Sequence, residues 1–198
     1  MDLKNYFSAC CRELAVKLLI QSPSFKALTS GKKKVTTGIN ASFNQEDFSI
    51  NIYFLESGNS AYARQTLWIS FTVDSEPLLF FSLYDILSVL RPDDFNCYTY
   101  TFVDSLELMK ACFNEIEKLF SELLPEIKAL FSDGVRKNHL IAAQKEKVNQ
   151  YFGDSIFESA DFLGGRAEKL ISVMIFNFFQ YQIESAVIGS PAMFFEGK

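Results

Sequence analysis

The sequence predicts an α+β fold, in which an antiparallel meander of four or five strands follows an N-terminal helix and precedes a helical C-terminal half. Two patterns predict it. Apolar residues recur every three or four positions at the start of the chain and again after residue 104, as in amphipathic helices. Between these regions they alternate with polar residues in short runs joined by turn sequences of hairpin length, as in antiparallel strands.

The N-terminal helix is predicted over residues 3–20, and Pro23 ends it. Four strands are predicted after it, and a fifth follows a short helix over 85–90 that Arg91-Pro92 stops. The five predicted strands are residues 35–43, 48–54, 67–73, 78–83 and 98–102. Trp68 lies on the more polar face of its strand, so we expect that face to be partly covered.

The helical half is predicted to open with a capping box, Asp104 and Glu107. Pro125 either kinks this helix or begins a new one. Two further helices are expected over residues 135–152 and about 166–188, which glycines separate. We therefore expect one α+β domain over 1–198, with the sheet in 1–103 and the helical half in 104–198; the chain could also be a fragment of a longer protein.

Composition and charge narrow the function classes. Hydrophobic residues make up 48% of the chain and charged residues 22%, which is typical of a folded protein. The formal net charge of -5 counts against a nucleic-acid partner. Residues 1–38 carry seven basic and two acidic side chains, so this end of the chain is basic.

The four cysteines are Cys10, Cys11, Cys97 and Cys112, and none forms a C-x-x-C pair. His139 is the single histidine and has no cysteine near it in sequence, so no metal site is predicted. The N-terminus lacks the apolar core of a signal peptide, and reduced thiols in a cytoplasmic protein are expected.

No catalytic residues and no cofactor are predicted, because the recurrent nucleophile, zinc-binding and nucleotide-binding motifs are missing. A cysteine nucleophile at Cys97 or Cys112 would need His139 through tertiary contact, and buried, inert cysteines are the preferred interpretation. Asp85, Asp93 and Asp94 are interpreted as cap and turn residues rather than as an acid/base pair.

The last predicted helix is apolar nearly all round, and an apolar tail follows it. The candidate interface residues are Phe176, Phe179, Phe194 and Phe195. A central core helix would give the same pattern, whereas Asn177 and the polar residues after it count against a membrane span.

Lys32, Lys33 and Lys34 form a candidate anion-binding run beside Gly31. The run lacks the earlier glycine and the following Ser or Thr of a phosphate-binding loop, so a solvated charge run is the alternative. The predicted helix over 135–152 is also locally basic, which fits either a solvated outer face or an acidic partner.

The leading hypothesis is a non-catalytic protein-interaction or regulatory module that self-associates through its apolar C-terminal helix. The alternative is a small enzyme or anion-binding domain that uses the basic N-terminal end. The order of an N-terminal helix, an antiparallel sheet and later helices resembles the layout of bacterial secretion chaperones, which are also small and acidic. That resemblance implies a third hypothesis, a chaperone-like client binder.

Overall fold

A computed structural model of the chain describes residues 2–30, 35–56, 65–91, 100–153, 156, 157 and 174. The strands are β1 Ser24–Ser30, β2 Val35–Asn44, β3 Phe48–Glu56, β4 Gln65–Val73, β5 Glu76–Ser82 and β6 Tyr100–Phe102. The helices are α1 Leu3–Lys17, α2 Leu83–Leu90, α3 Leu106–Ser132 and α4 Gly134–Phe152. The predicted α+β class, with a helix before an antiparallel sheet and helices after it, is confirmed.

The sheet is a meander in which β1 to β5 lie side by side in chain order, all antiparallel. The strand β6 pairs with the first half of β4, at the edge that β5 leaves open. The strand β1 was not predicted, because it is an edge strand whose alternation is weak: Phe25 is half-buried and Ala27 is exposed. The predicted run over 98–102 forms the short β6 from Tyr100 onward in the described residues.

One face of the sheet packs against α1 and α3 and forms the main core. Alternation places Ile50, Ile52 and Phe54 of β3 on this face, and all three are buried. Phe7 of α1 stacks on Phe54 with ring centroids 5.6 Å apart, and Phe131 of α3 stacks on Phe48 at 4.5 Å. The phenylalanine-rich composition therefore serves, in part, to fill this helix–sheet layer.

The opposite face of the sheet carries a smaller set of buried side chains. Tyr53 of β3 faces Trp68 of β4, and their ring centroids lie 4.7 Å apart. Trp68 is only 1% exposed, which confirms that its face is covered. Asn51 is buried beside them, accepts a hydrogen bond from Asn40 at 3.3 Å and donates one to the Thr72 hydroxyl at 3.1 Å. This polar ladder satisfies a buried amide across three strands.

The helix boundaries follow local capping. Ser105, and not the predicted Asp104, begins α3, because its hydroxyl accepts the Leu108 amide at 3.2 Å. Pro125 lies inside α3, which continues from Leu106 to Ser132. Asp133 then begins α4 by accepting two backbone amides, and the helix ends at Gly153, which has a φ of 92°.

The helix α4 runs back along the outer edge strand β5. The buried amide of Gln144 donates a hydrogen bond to the Phe80 carbonyl, and Lys145 forms an ion pair with Glu76 at 2.6 Å. These contacts join the middle of α4 to β5. They also place α4 beside α2, which follows β5 directly.

Candidate functional site: the groove between α2 and α4

The groove begins with the capping box of α2. The Ser82 hydroxyl accepts a hydrogen bond from the Asp85 amide at 3.2 Å, while the Asp85 carboxylate accepts from the Ser82 amide at 2.8 Å. The Ser82 hydroxyl also donates to the same carboxylate oxygen, at 2.8 Å. This arrangement confirms the interpretation of Asp85 as a capping residue and fixes a buried carboxylate at the start of α2.

The other oxygen of Asp85 crosses to α4. It lies 2.7 Å from the Lys147 ammonium, and the exposed fractions of the two side chains are 10% and 48%. The carboxylate is nearly enclosed while the ammonium stays open to water. The pair is therefore a partly exposed contact between two helices and not a fully buried ion pair. It joins the start of α2 to the last third of α4.

The groove itself is an open cleft of about 220 Å³ between the two helices. Val89, Leu140 and Ala143 contribute its apolar lining, and Arg136, His139 and Lys147 contribute its basic lining. Along α4 these positions follow the three-to-four spacing of a single helical face. The groove is therefore amphipathic along its length.

Helices α2 and α4 carry several exposed apolar side chains, of which Val89 lines the groove. Within the described part of the chain, eight large hydrophobic residues are exposed, and Tyr84, Val89, Val135 and Tyr151 are four of them. Tyr84 and Val89 belong to α2, whereas Val135 and Tyr151 lie near the two ends of α4. Val89 therefore adds exposed apolar surface to the groove, while the other three lie on the same two helices outside its lining.

The chemistry of the described cysteines does not support nucleophilic catalysis. Cys10, Cys11 and Cys112 are buried free thiols, as the preferred interpretation predicted. Burial raises the pKa of the Cys11 thiol well above its ordinary value and that of Cys112 to about 11. Such thiols carry little thiolate at neutral pH, and thiolate is the reactive form. His139 is exposed on α4 and lines the groove.

A second, smaller cleft lies between α1 and α3 and measures about 40 Å³. Lys17 closes it by pairing with Glu13 at 3.0 Å and with Glu117 at 2.7 Å. The hydrogen bonds from Lys17 to Glu117 and Glu13 raise the pKa of the Lys17 ammonium, so it stays charged and bridges the helices. This cleft is smaller than the α2–α4 groove, and three of its charged groups, Glu13, Lys17 and Glu117, already pair with each other.

The described residues, with the gaps stated above, hold no cluster of three or more His, Cys, Asp or Glu side chains that could bind a metal ion. Nor does any helix in them have the length and apolarity needed to cross a membrane.

The structure does not describe the residues that the sequence analysis proposed as sites. The anion-binding candidates Lys32, Lys33 and Lys34 and the interface candidates Phe176, Phe179, Phe194 and Phe195 are outside the described residues, as are Asp93, Asp94 and Cys97.

Only some features of the groove could be predicted from the sequence. The basic character of α4 could be read directly, and Ser82 and Asp85 have the spacing of a capping box. No local pattern, however, pairs Asp85 with Lys147 or Gln144 with Phe80, because more than 60 residues separate each pair. Comparisons of the chain with protein-family models, curated proteins and solved structures give no significant match.

Proposed function

We propose that this protein is a non-catalytic protein-interaction module and that the groove between α2 and α4 receives an amphipathic helix of a partner protein. The observation that carries the proposal is the groove: an open cleft of about 220 Å³ whose lining combines apolar and basic side chains of two helices. A helix lying in such a groove would bury its apolar face there, as in other helix-in-groove complexes.

The polar groups of the groove support binding rather than turnover. The Asp85 carboxylate, the one acid among the described residues that line the cleft, is engaged by the Ser82 amide, the Ser82 hydroxyl and Lys147. A carboxylate already occupied by three donors has a structural role in the groove. The Gln144 amide is likewise committed to the Phe80 carbonyl. These groups shape the groove and leave its exposed basic and apolar side chains for a partner.

The test uses two neighbouring alanines of α4. Ala142 and Ala143 are both exposed, but only Ala143 lines the groove. A photo-crosslinking amino acid is placed at either position in the full chain, and adducts formed in cells are identified by mass spectrometry. The crosslinked partner is then purified, and its binding to the unmodified chain is measured by calorimetry.

We expect a partner that crosslinks from position 143 and not from 142. Its purified form should bind the wild-type chain and the Ala142→Glu variant alike, and should lose at least about tenfold in affinity for Ala143→Glu. Equal affinity for the two variants would contradict the groove as the docking surface. Stabilisation by small metabolites together with measurable turnover would favour an enzyme instead.

Self-association through the C-terminal segment remains part of the proposal. It rests on the apolar character of the sequence around Phe176, Phe179, Phe194 and Phe195. Light scattering over a wide concentration range, on the wild type and on Phe179→Asp, tests it: a monomer at every concentration would count against it. The anion-binding alternative is tested by thermal shift with phosphorylated metabolites on the wild type and on a Lys32, Lys33 and Lys34 to Ala variant.

A cytoplasmic location is proposed on the basis of the cysteine spacing, which does not indicate a disulfide framework. Fractionation of cells that express the full chain tests this location directly.

A further inference from the structure

We infer that the helix received by the α2–α4 groove is acidic at both ends of its contact face, so that the partner is an acidic amphipathic helix. This inference rests on the proposed function and adds the chemistry of the partner. It starts from the positions of the cations: Arg136 and Lys147 line the same groove on one helix, 11 residues apart. At the rise of an α-helix this spacing is about 16 Å.

The charge of α4 differs in sign from that of the whole chain. The helix carries Arg136, Lys137, Lys145 and Lys147 against a single acid, Glu146, whereas the full chain has a formal net charge of -5. Of these cations only Arg136 and Lys147 line the groove, where they form a basic strip. A basic strip on an otherwise acidic protein attracts an acidic partner locally, while the remaining surface repels it. This difference favours a partner that places its acids on the strip.

The two cations of the groove, Arg136 and Lys147, differ in their ion pairing. Among the described residues Arg136 has no ion-pair partner, and its side chain is exposed. Lys147 is already paired with Asp85 but remains 48% exposed, and an ammonium has three donors. An incoming carboxylate can therefore pair with Arg136 alone at one end and join Asp85 around Lys147 at the other. We expect the Arg136 end to contribute the larger electrostatic gain.

The apolar lining distinguishes an acidic helix from a phosphate backbone as the partner. Leu140 and Ala143 lie between Arg136 and Lys147 along α4, and Val89 lines the groove from α2. Leu140 is 6% exposed and Val89 39%, so Val89 and Ala143 supply the accessible apolar surface. A phosphate backbone would leave these side chains uncovered and would also meet the Asp85 carboxylate. A helix with apolar residues on the middle turns of its contact face and acids at both ends matches apolar and cationic surface together.

The experiment is a selection from a displayed library of helical 18-residue peptides, with randomised contact-face positions, on the purified full chain. Counter-selection on the Ala143→Glu variant removes peptides that bind elsewhere. We expect the groove-dependent peptides to be acidic, with carboxylates about 10 or 11 positions apart and apolar residues between them. Groove-dependent peptides that are neutral or basic would overturn the inference and leave the docking surface intact.

Affinity measurements on selected peptides complete the test. Arg136→Glu should weaken an acidic peptide at least about tenfold, whereas Lys137→Glu, a change at the next residue, which does not line the groove, should weaken it by less than about threefold. Raising the salt concentration should remove most of the difference between wild type and Arg136→Glu. Equal losses for the two variants would overturn the inference, and so would a selection that yields no groove-dependent peptide. Failure of the docking surface itself is separately visible, as unchanged affinity of the crosslinked partner for Ala143→Glu.

Discussion

The Asp85 carboxylate and the Lys147 ammonium lie 2.7 Å apart and join helix α2 to helix α4, although 62 residues separate them in the chain. The contact does two things at once. The carboxylate also caps α2 through Ser82, and the ammonium lines the groove between the helices. The stability of α2 and the shape of the proposed docking surface therefore depend on the same side chain.

We predict that Asp85→Ala lowers the free energy of unfolding by about 1–2 kcal/mol, because it removes half of the capping box as well as the ion pair. Lys147→Ala should cost less than about 1 kcal/mol, because water screens the half-exposed pair and the Asp85 carboxylate keeps the Ser82 amide and hydroxyl as donors. Urea unfolding of the two single variants and the double variant gives both costs and their coupling. Lys128→Ala, at an exposed position of α3, is the control.

A Lys147→Ala cost equal to that of Asp85→Ala would contradict this account, because it would show that the ion pair, and not the cap, dominates the contribution of Asp85. Ser82→Ala separates the two directly. It removes the hydroxyl that accepts the Asp85 amide and leaves Lys147 in place, and should cost about 1 kcal/mol.

The end of α1 holds a strained leucine. Leu19 has a φ of 53° and is 92% exposed, while the Ile20 amide donates to the Ala15 carbonyl at 3.0 Å. This is the helix-ending turn in which glycine normally occupies the left-handed position. We predict that Leu19→Gly raises the free energy of unfolding by about 0.5–1 kcal/mol, because the relief of strain exceeds the added freedom of the unfolded chain.

Thermal and urea unfolding measure this change. Val16→Ala is a suitable control, because it removes a neighbouring exposed side chain without changing a left-handed residue; it should stay within about 0.5 kcal/mol of wild type. A destabilised Leu19→Gly would show that the leucine side chain contributes more than its conformation costs.

Gly38 of β2 lies where a side chain does not fit. A methyl group there would come within 2.5 Å of the Phe54 carbonyl oxygen and 3.1 Å of the Leu55 Cα, both in the backbone of β3. We predict that Gly38→Ala lowers the free energy of unfolding by about 1–3 kcal/mol, because backbone cannot move aside as a side chain can. Ser42→Ala in the same strand should change it by less than about 0.5 kcal/mol, and equal effects would contradict the steric explanation.

Much of the sheet could be predicted from the sequence, because β3 and β4 alternate apolar and polar residues and the pattern has a single period. The burial of Trp68 on the more polar face followed from the same alternation. The edge strand β1 escaped prediction, since only one of its faces touches the core and its side chains there are half-buried or exposed.

The groove could not be predicted, for a different reason. Helix α4 was expected to be basic, but its neighbour was not known from sequence, because the Gln144 and Lys147 contacts join segments far apart in the chain. Local patterns report the period of an element and the residues that begin and end it. They do not report which surface lies opposite, and a docking groove is defined by two surfaces.

The buried thiols give the last prediction, which concerns pH. Burial raises the pKa of Cys112 from 9.0 to about 11 and also raises the pKa values of Cys11 and Cys10. In the unfolded chain these thiols release their protons near their ordinary pKa, whereas in the folded protein they keep them to higher pH. The unfolded state therefore binds fewer protons as the pH rises, so stability must fall above pH 9 and continue to fall toward about 11.

The measurement is urea unfolding at several values between about pH 8 and about pH 11, in a Cys97→Ser background, because Cys97 lies outside the described residues. Stability should decrease across this range, and Cys112→Ala should make the decrease shallower whatever its cost at neutral pH. Thiol titration near neutral pH supplies an independent check: the folded Cys97→Ser chain should react far more slowly than the same chain in denaturant. Rapid reaction of the folded chain, or an unchanged pH slope in Cys112→Ala, would contradict the burial of these thiols, since an accessible thiol ionises equally well in both states.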